Sequence, residues 1–244
     1  MWVGRSLARS FYRLQEEFRW HEFTATDAAR AMPEPLPNLR LVLSRLARAG
    51  WVVRVGRGSY VAMDARWGLE RSGPDPLFAF RSEAFFRSLV HATAGVLQLY
   101  GARLKALTLF GSAARRDHST DSDLDLLVVA DPLPEALGDR LAELEPLRGE
   151  WRRPASRNEG QDSGRYVPQF VPLSPAELAA EPPILLDLTQ DAAVLFDPAR
   201  LLQGALDGLS RKLAARHARR IAPADGPPFW QLSPGARLGE VREL

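Results

Sequence analysis

A chain of 244 residues, 45% hydrophobic and 25% charged, has the composition of a water-soluble protein of one large or two ordinary domains, and no apolar run approaches the roughly 20 residues of a membrane-spanning helix. Cysteine is absent, which excludes disulfides, thiolate zinc sites and cysteine nucleophiles and fits a cytoplasmic location. The net charge of +2 steers little toward nucleic acid, but eleven arginines against six acidic residues crowd residues 1–66. The arginine-rich start has no apolar core, so no secretory signal is expected.

In chain order, Leu7, Phe11, Leu14 and Phe18 recur three or four residues apart, which predicts an amphipathic helix over 5–20. Thr24 and Asp27 read as a helix start ahead of a short helix at 28–32, and Pro33, Pro35 and Pro37 make a turn. A third helix is expected over 38–49, stopped by Gly50. Two β-rich runs around Gly56-Arg57-Gly58 predict a hairpin over 51–63. Three helices followed by a basic hairpin resemble a winged helix-turn-helix domain, placed at 1–66. The resemblance implies that helix 38–49 presents Asn38, Arg40, Ser44 and Arg45 to a nucleic-acid groove, with Leu41 and Leu46 packed inside and Arg57 on the wing. The same module can instead dock a protein.

Gly68, Gly73, Pro74 and Pro76 mark a linker at 67–82. Residues 83–244 then read as a helix at 83–100, strands at 107–110 and 125–129, a helix at 133–147, a strand at 165–173, a helix at 175–190, a strand at 193–196 and a long amphipathic helix at 198–219. The expected fold class is α/β in the α+β sense: a winged helix module plus a mixed-sheet domain with a C-terminal helix and tail.

The chemistry concentrates at 109–129. Gly111-Ser112 ends a strand and opens a helix, where backbone N–H groups and the Ser112 hydroxyl suit a phosphate. Asp123 and Asp125 stand two apart at the head of the next strand, so their carboxylates share a face. Such a pair repels unless a cation lies between, and its all-oxygen character suits Mg²⁺ or Mn²⁺. Asp121 and Ser122 shape the turn before it.

Gly-Ser, a short arginine-containing helix, and Asp-Ser-Asp-x-Asp followed by apolar residues resemble the signature of the polymerase-beta-like, or minimal, nucleotidyltransferases. The resemblance implies that Asp123 and Asp125 are the catalytic carboxylates and metal ligands, with Mg²⁺ or Mn²⁺ as cofactor. It implies that Gly111 and Ser112 hold the β- and γ-phosphates of a nucleoside triphosphate, with Arg115, Arg116 and Ser122 as further nucleotide contacts. Ala113 and Arg116 depart from the usual basic and small residues, which shifts the expected phosphate contacts toward Arg115 and Arg116. The third carboxylate that such proteins take from a later strand is Gln169 here, and a neutral amide is no general base. Asp162, Glu177 and Asp187 are the substitutes in reach of sequence reasoning. The tail from Phe229 to Leu244 is similar to the end of a prokaryotic branch of these proteins. His91 is expected in helix packing and His118 on the solvated surface.

The expected activity is transfer of a nucleoside monophosphate from a triphosphate to a hydroxyl on tRNA, a protein or a small molecule. The alternative is a DNA-binding regulator or antitoxin-like protein whose nucleotidyltransferase domain binds nucleotide with weak turnover or none. Expected partners are a nucleoside triphosphate, DNA or tRNA, and a protein, with no membrane among them.

Overall fold

The structure is a computed structural model that describes residues 5–70, 73–119, 122–152, 166–223 and 228–234. The first part comprises α1 (Arg5–Phe18), β1 (Phe23–Thr24), α2 (Ala25–Ala31), α3 (Leu36–Arg48), β2 (Val52–Gly56) and β3 (Ser59–Ala62). β3 lies between β1 and β2 in a small antiparallel sheet. Thr24 and Asp27 cap α2 reciprocally: the Asp27 N–H donates to the Thr24 hydroxyl at 3.2 Å, and the Thr24 N–H to Asp27 Oδ2 at 2.9 Å. Prolines at the first turn of α3 remove N–H groups that have no helical partner there.

Leu39, Leu43 and Leu46 of α3 pack against Phe11, Leu14, Phe23 and Trp51. This phase corrects one expectation: Leu41 is 53% exposed rather than inside. At about 100° per residue Leu41 is turned about 200° from Leu39, so a stripe built on 39, 43 and 46 leaves it outside.

The chain continues through α4 (Ala65–Leu69), a 3-10 helix η1 (Pro76–Phe80), α5 (Phe86–Tyr100), a second 3-10 turn η2 (Gly101–Arg103), β4 (Leu104–Phe110), α6 (Gly111–Arg115), β5 (Leu124–Ala130), α7 (Leu137–Arg152), β6 (Pro168–Leu173), α8 (Pro175–Ala179), α9 (Ile184–Asp191), β7 (Ala193–Phe196), α10 (Leu201–Ala215), β8 (Arg219–Ile221) and β9 (Phe229–Gln231). The main sheet has the order β6-β5-β4-β7, with β5 and β6 parallel and the other pairs antiparallel. β5 is buried on both faces from Leu126 to Ala130, as the apolar run there requires. Leu126 and Val128 join the cluster around α5, while Leu127 and Val129 join the one around α9 and α10.

Three expected boundaries move. The stretch expected as a linker contributes Trp67, Leu77 and Phe80 to the same buried cluster as Trp20, Met63 and α5, so these three are packed core. The helix expected at 175–190 is two helices, because Pro182 and Pro183 follow Glu181, whose φ of 53° is left-handed. α10 begins only at Leu201, where Asp197 accepts from the N–H groups of Leu201 and Gln203, both at 2.8 Å. Among the described residues no helix is long and apolar enough to cross a membrane.

An ion cluster ties the N-terminal module to α5. Glu22 accepts from Arg87 Nε at 2.7 Å and lies 3.3 Å from His91 Nε2. Burial pushes its carboxyl pKa up, but hydrogen bonds from His91 and Ser59 and the Arg87 charge outweigh this and hold it at about 2. His91 is buried in that contact, as helix packing predicts.

Candidate functional site

The end of β4 and the starts of β5 and β6 meet at one edge of the main sheet. Phe110 pairs with Asp125 across β4 and β5, and Asp125 pairs with Gln169 across β5 and β6. The chain leaves β4 extended at Phe110 and turns into α6 through Gly111 at φ 72°. Glycine is required there twice over. The backbone is left-handed, and a Cβ would stand 2.5 Å from Asp125 Oδ2. The Asp125 carboxylate therefore lies directly against the Gly111 backbone.

Asp123 is exposed just before β5, and Asp125 is half-buried within it. Burial and the neighbouring Asp123 charge push the Asp125 carboxyl pKa up, and Arg115 offsets part of this. Gln169 reaches across from β6: its Nε2 donates to Asp123 Oδ2 at 3.4 Å, and its Oε1 accepts from Arg148 at 3.1 Å. Only the amide oxygen can accept from a guanidinium, so Arg148 turns the Gln169 amide group toward the carboxylate. Pro168 is tolerated because β6 is the sheet edge.

Residues 94–157 match the nucleotidyltransferase domain family NTP_transf_2. The match spans both Gly111-Ser112 and Asp123-Leu124-Asp125. A crystal structure of a toxin-antitoxin with AMP-PNP is similar at 16% identity and a TM-score of 0.32, covering 50% of this chain and 87% of that one. A crystal structure of a toxin-antitoxin MntA-HpeT mutant is similar at 14% identity and a TM-score of 0.31, with the same coverage of 50% and 87%. Both likenesses are weak. No curated protein matches the chain.

Within the matched segment the two arginines that follow the glycine-serine turn are held by protein groups. Arg115 donates to Asp117 at 3.0 Å and to Asp191 at 2.9 Å, and Arg220 reaches the same Asp191 oxygen at 3.1 Å. Arg116 sits at a left-handed φ of 64°, donates to the Ala79 carbonyl of η1 at 2.7 Å and lies 5.7 Å from the Phe80 ring. Ser122 closes the turn onto Ser119, whose N–H donates to the Ser122 hydroxyl at 2.9 Å. His118 corrects an expectation: its side chain is 12% exposed and stands edge-on to Phe85 and Tyr166 at 4.8 and 5.6 Å, because the turn folds back over those rings.

Two of the three expected substitutes for a third carboxylate are engaged with other groups. Glu177 caps α8 and accepts from the buried Arg140 at 2.7 Å, which holds its pKa at about 2. Asp187 accepts from Trp230 Nε1 at 3.0 Å. Asp121 and Asp162 lie outside the described residues, and among those described no three His, Cys, Asp or Glu gather as a metal cluster. Asn38, Arg40 and Arg45 are exposed on α3 and Arg57 at the hairpin turn, on elements separate from the carboxylate pair. Sequence reasoning missed Arg148, Asp191 and Arg220. No local signal marks them, since each acts on a residue of another element.

Proposed function

We propose that the protein transfers a nucleoside monophosphate from a nucleoside triphosphate to a hydroxyl acceptor on tRNA, a protein or a small molecule. The observation that carries this reading is the register that sets Gly111, Asp125 and Gln169 side by side, with Asp123 on the same face as Asp125. Two like-charged carboxylates, one with its proton affinity raised by burial and by the other's charge, fit a divalent cation, and their oxygens suit Mg²⁺ or Mn²⁺. When bound, such a cation offsets the negative charge that develops on a transferring phosphoryl group.

Asp123 and Asp125 would hold that cation. Gly111 leaves its backbone open to close approach, and the Ser112 hydroxyl can donate to a phosphate oxygen. Arg115, anchored by Asp191, keeps positive charge beside Asp125. Gln169 donates to Asp123 and takes up no proton, so the acceptor's proton would pass to a carboxylate oxygen of Asp123 or Asp125 left free by the cation, or to water. Residues 1–66 are read as a winged helix module that meets DNA or tRNA through Asn38, Arg40, Arg45 and Arg57, with 67–82 as a packed connection to 83–244.

A second reading is a DNA-binding regulator whose domain binds nucleotide with little turnover. It is favoured by Gln169 in place of a carboxylate. Labelled ATP, CTP, GTP and UTP with Mg²⁺ or Mn²⁺ and total cellular RNA and protein separate the two. Label transfer that is lost in Asp123→Asn/Asp125→Asn supports the enzyme. Transfer by that double variant overturns the site, and triphosphate binding without transfer favours the regulator. Gln169→Asp is expected to raise Mg²⁺ affinity, read by titration with bound triphosphate; a weaker or unchanged response would place the third ligand elsewhere.

A further inference from the structure

Several arginines near α5 and the hairpin are paired with carboxylates. Arg66 pairs with Glu70 at 2.8 Å, Arg87 with Glu22 at 2.7 Å and Arg103 with Glu143 at 3.3 Å. Four others are not balanced, and all of them line one concavity. A cleft of about 250 Å³ runs between the end of α3, β2 and η1, bounded by Arg48, Arg54, Phe78 and Arg81. It continues past Arg54, Arg81 and Phe86 into a second space of about 330 Å³ that reaches Arg57 at the hairpin turn. Among the described residues none of these four arginines forms an ion pair with a carboxylate. Arg54 Nε donates to the Gly56 carbonyl at 3.1 Å, and the Arg81 guanidinium lies 5.4 Å from the Phe78 ring. Among the described lining residues of the cleft the carboxylate is Asp75, which accepts from the Leu77 N–H at 3.0 Å and caps η1.

We infer that this cleft binds single-stranded nucleic acid. Four guanidinium groups without an ion-pair partner, against one carboxylate in the lining, repel one another until a polyanion lies among them, and guanidinium groups match phosphate geometry. Phe78, 56% exposed with a cation at its ring, offers a face on which a base can stack. An exposed aromatic ring among cations favours an unpaired chain, whose bases are free to stack, over a duplex, whose bases are stacked on one another. η1 separates the cleft from the nucleotidyltransferase motif: Phe78 faces the cleft, while the next residue, Ala79, accepts from Arg116 beside α6. A strand in the cleft would thus lie across η1 from the site. The cleft is distinct from the exposed α3 residues Asn38, Arg40 and Arg45, and its binding of a strand does not depend on whether nucleotides are transferred.

The test is fluorescence anisotropy of the full chain with labelled single-stranded DNA and RNA and the matching duplex, without triphosphate or metal, so its result stands apart from that of the label-transfer experiment. With four phosphates neutralised, log K for the single strand falls against log salt with a slope of about −3. Arg54→Gln/Arg81→Gln is expected to weaken single-strand binding about tenfold or more while duplex binding stays within about twofold, and Phe78→Ala to weaken it about tenfold by loss of stacking. Arg57→Gln at the exposed turn gives a milder loss without risk to the fold, and Arg211→Gln on α10 serves as a charge control with none. Circular dichroism melting confirms that each variant is folded. Single-strand affinity unmoved by the Arg54/Arg81 and Phe78 changes overturns the inference. So does an equal loss for duplex, or displacement of the strand by polyglutamate at the strand's own affinity, which would assign the cleft to an acidic protein segment.

Discussion

Glu22→Gln removes one charge from the cluster that joins the N-terminal module to α5. The Glu22 side chain is 19% exposed and contacts Arg87 and His91 from one helix, with Ser59 of β3 as a further hydrogen-bond partner. Its pKa falls from an ordinary 4.5 to about 2 in the folded protein. At about 1.4 kcal/mol for each tenfold change in proton affinity, that difference contributes at most about 3 kcal/mol of stability at pH 7. The sign follows from the depressed pKa: the contribution is full above 4.5 and is lost as pH falls toward 2. Near pH 3 about 1.5 kcal/mol of it should remain in the wild type. Glutamine keeps the shape but brings an N–H₂ group to face donors, so the variant should lose most of the contribution at pH 7 and about half as much at pH 3. Urea denaturation followed by tryptophan fluorescence reads this directly, because Trp20, Trp51 and Trp67 are all buried. The melting temperature at pH 7 should drop by about 6–12 °C. No loss at pH 7, or the same loss at both pH values, would refute the reasoning and reduce the cluster to a surface contact.

Gly111→Ala should cost about 1–2 kcal/mol from the left-handed backbone alone, and the added methyl must also displace the Asp125 carboxylate. Metal-dependent triphosphate binding should fall with it in equilibrium dialysis, and undiminished binding would remove Asp125 from the site. Asp125→Asn should stabilise the metal-free protein at neutral pH, because burial and Asp123 disfavour its charged form. That gain should fade as pH falls through the raised Asp125 pKa, where the wild-type carboxyl is already neutral; thermal melts across pH check the trend, and a pH-independent difference would contradict it. Arg140→Met should destabilise by about 2–3 kcal/mol in urea melts, less than a fully buried pair because the Glu177 side chain is 43% exposed. The loss combines the Glu177 pair with unsatisfied carbonyls at Pro134, Glu135 and Pro172, and a change under about 0.5 kcal/mol would mean that water replaces the guanidinium.

What the sequence by itself determined is what depends on neighbours a few residues apart. The capping pair Thr24–Asp27, the turn at Gly111-Ser112 and the common face of Asp123 and Asp125 all follow from such local spacing. The strand alternation around Gln169 is of the same kind, and it put the one polar side chain of that stretch on a single face. Tertiary structure decided the rest, because the partners are far apart along the chain. Which stripe of α3 turns inward depends on Phe11 and Trp51, and that left Leu41 outside. The glycines and prolines of 67–82 read as a tether, yet Trp67, Leu77 and Phe80 find a core that only α5 and the main sheet complete. Gln169 meets Asp123 from 46 positions away and is oriented by Arg148 from 21 positions away. Arg115 is anchored by Asp191 across 76 positions. Spacing along a sequence carries no information about such pairs, since they form only when parallel strands fall into register and helices settle on the sheet.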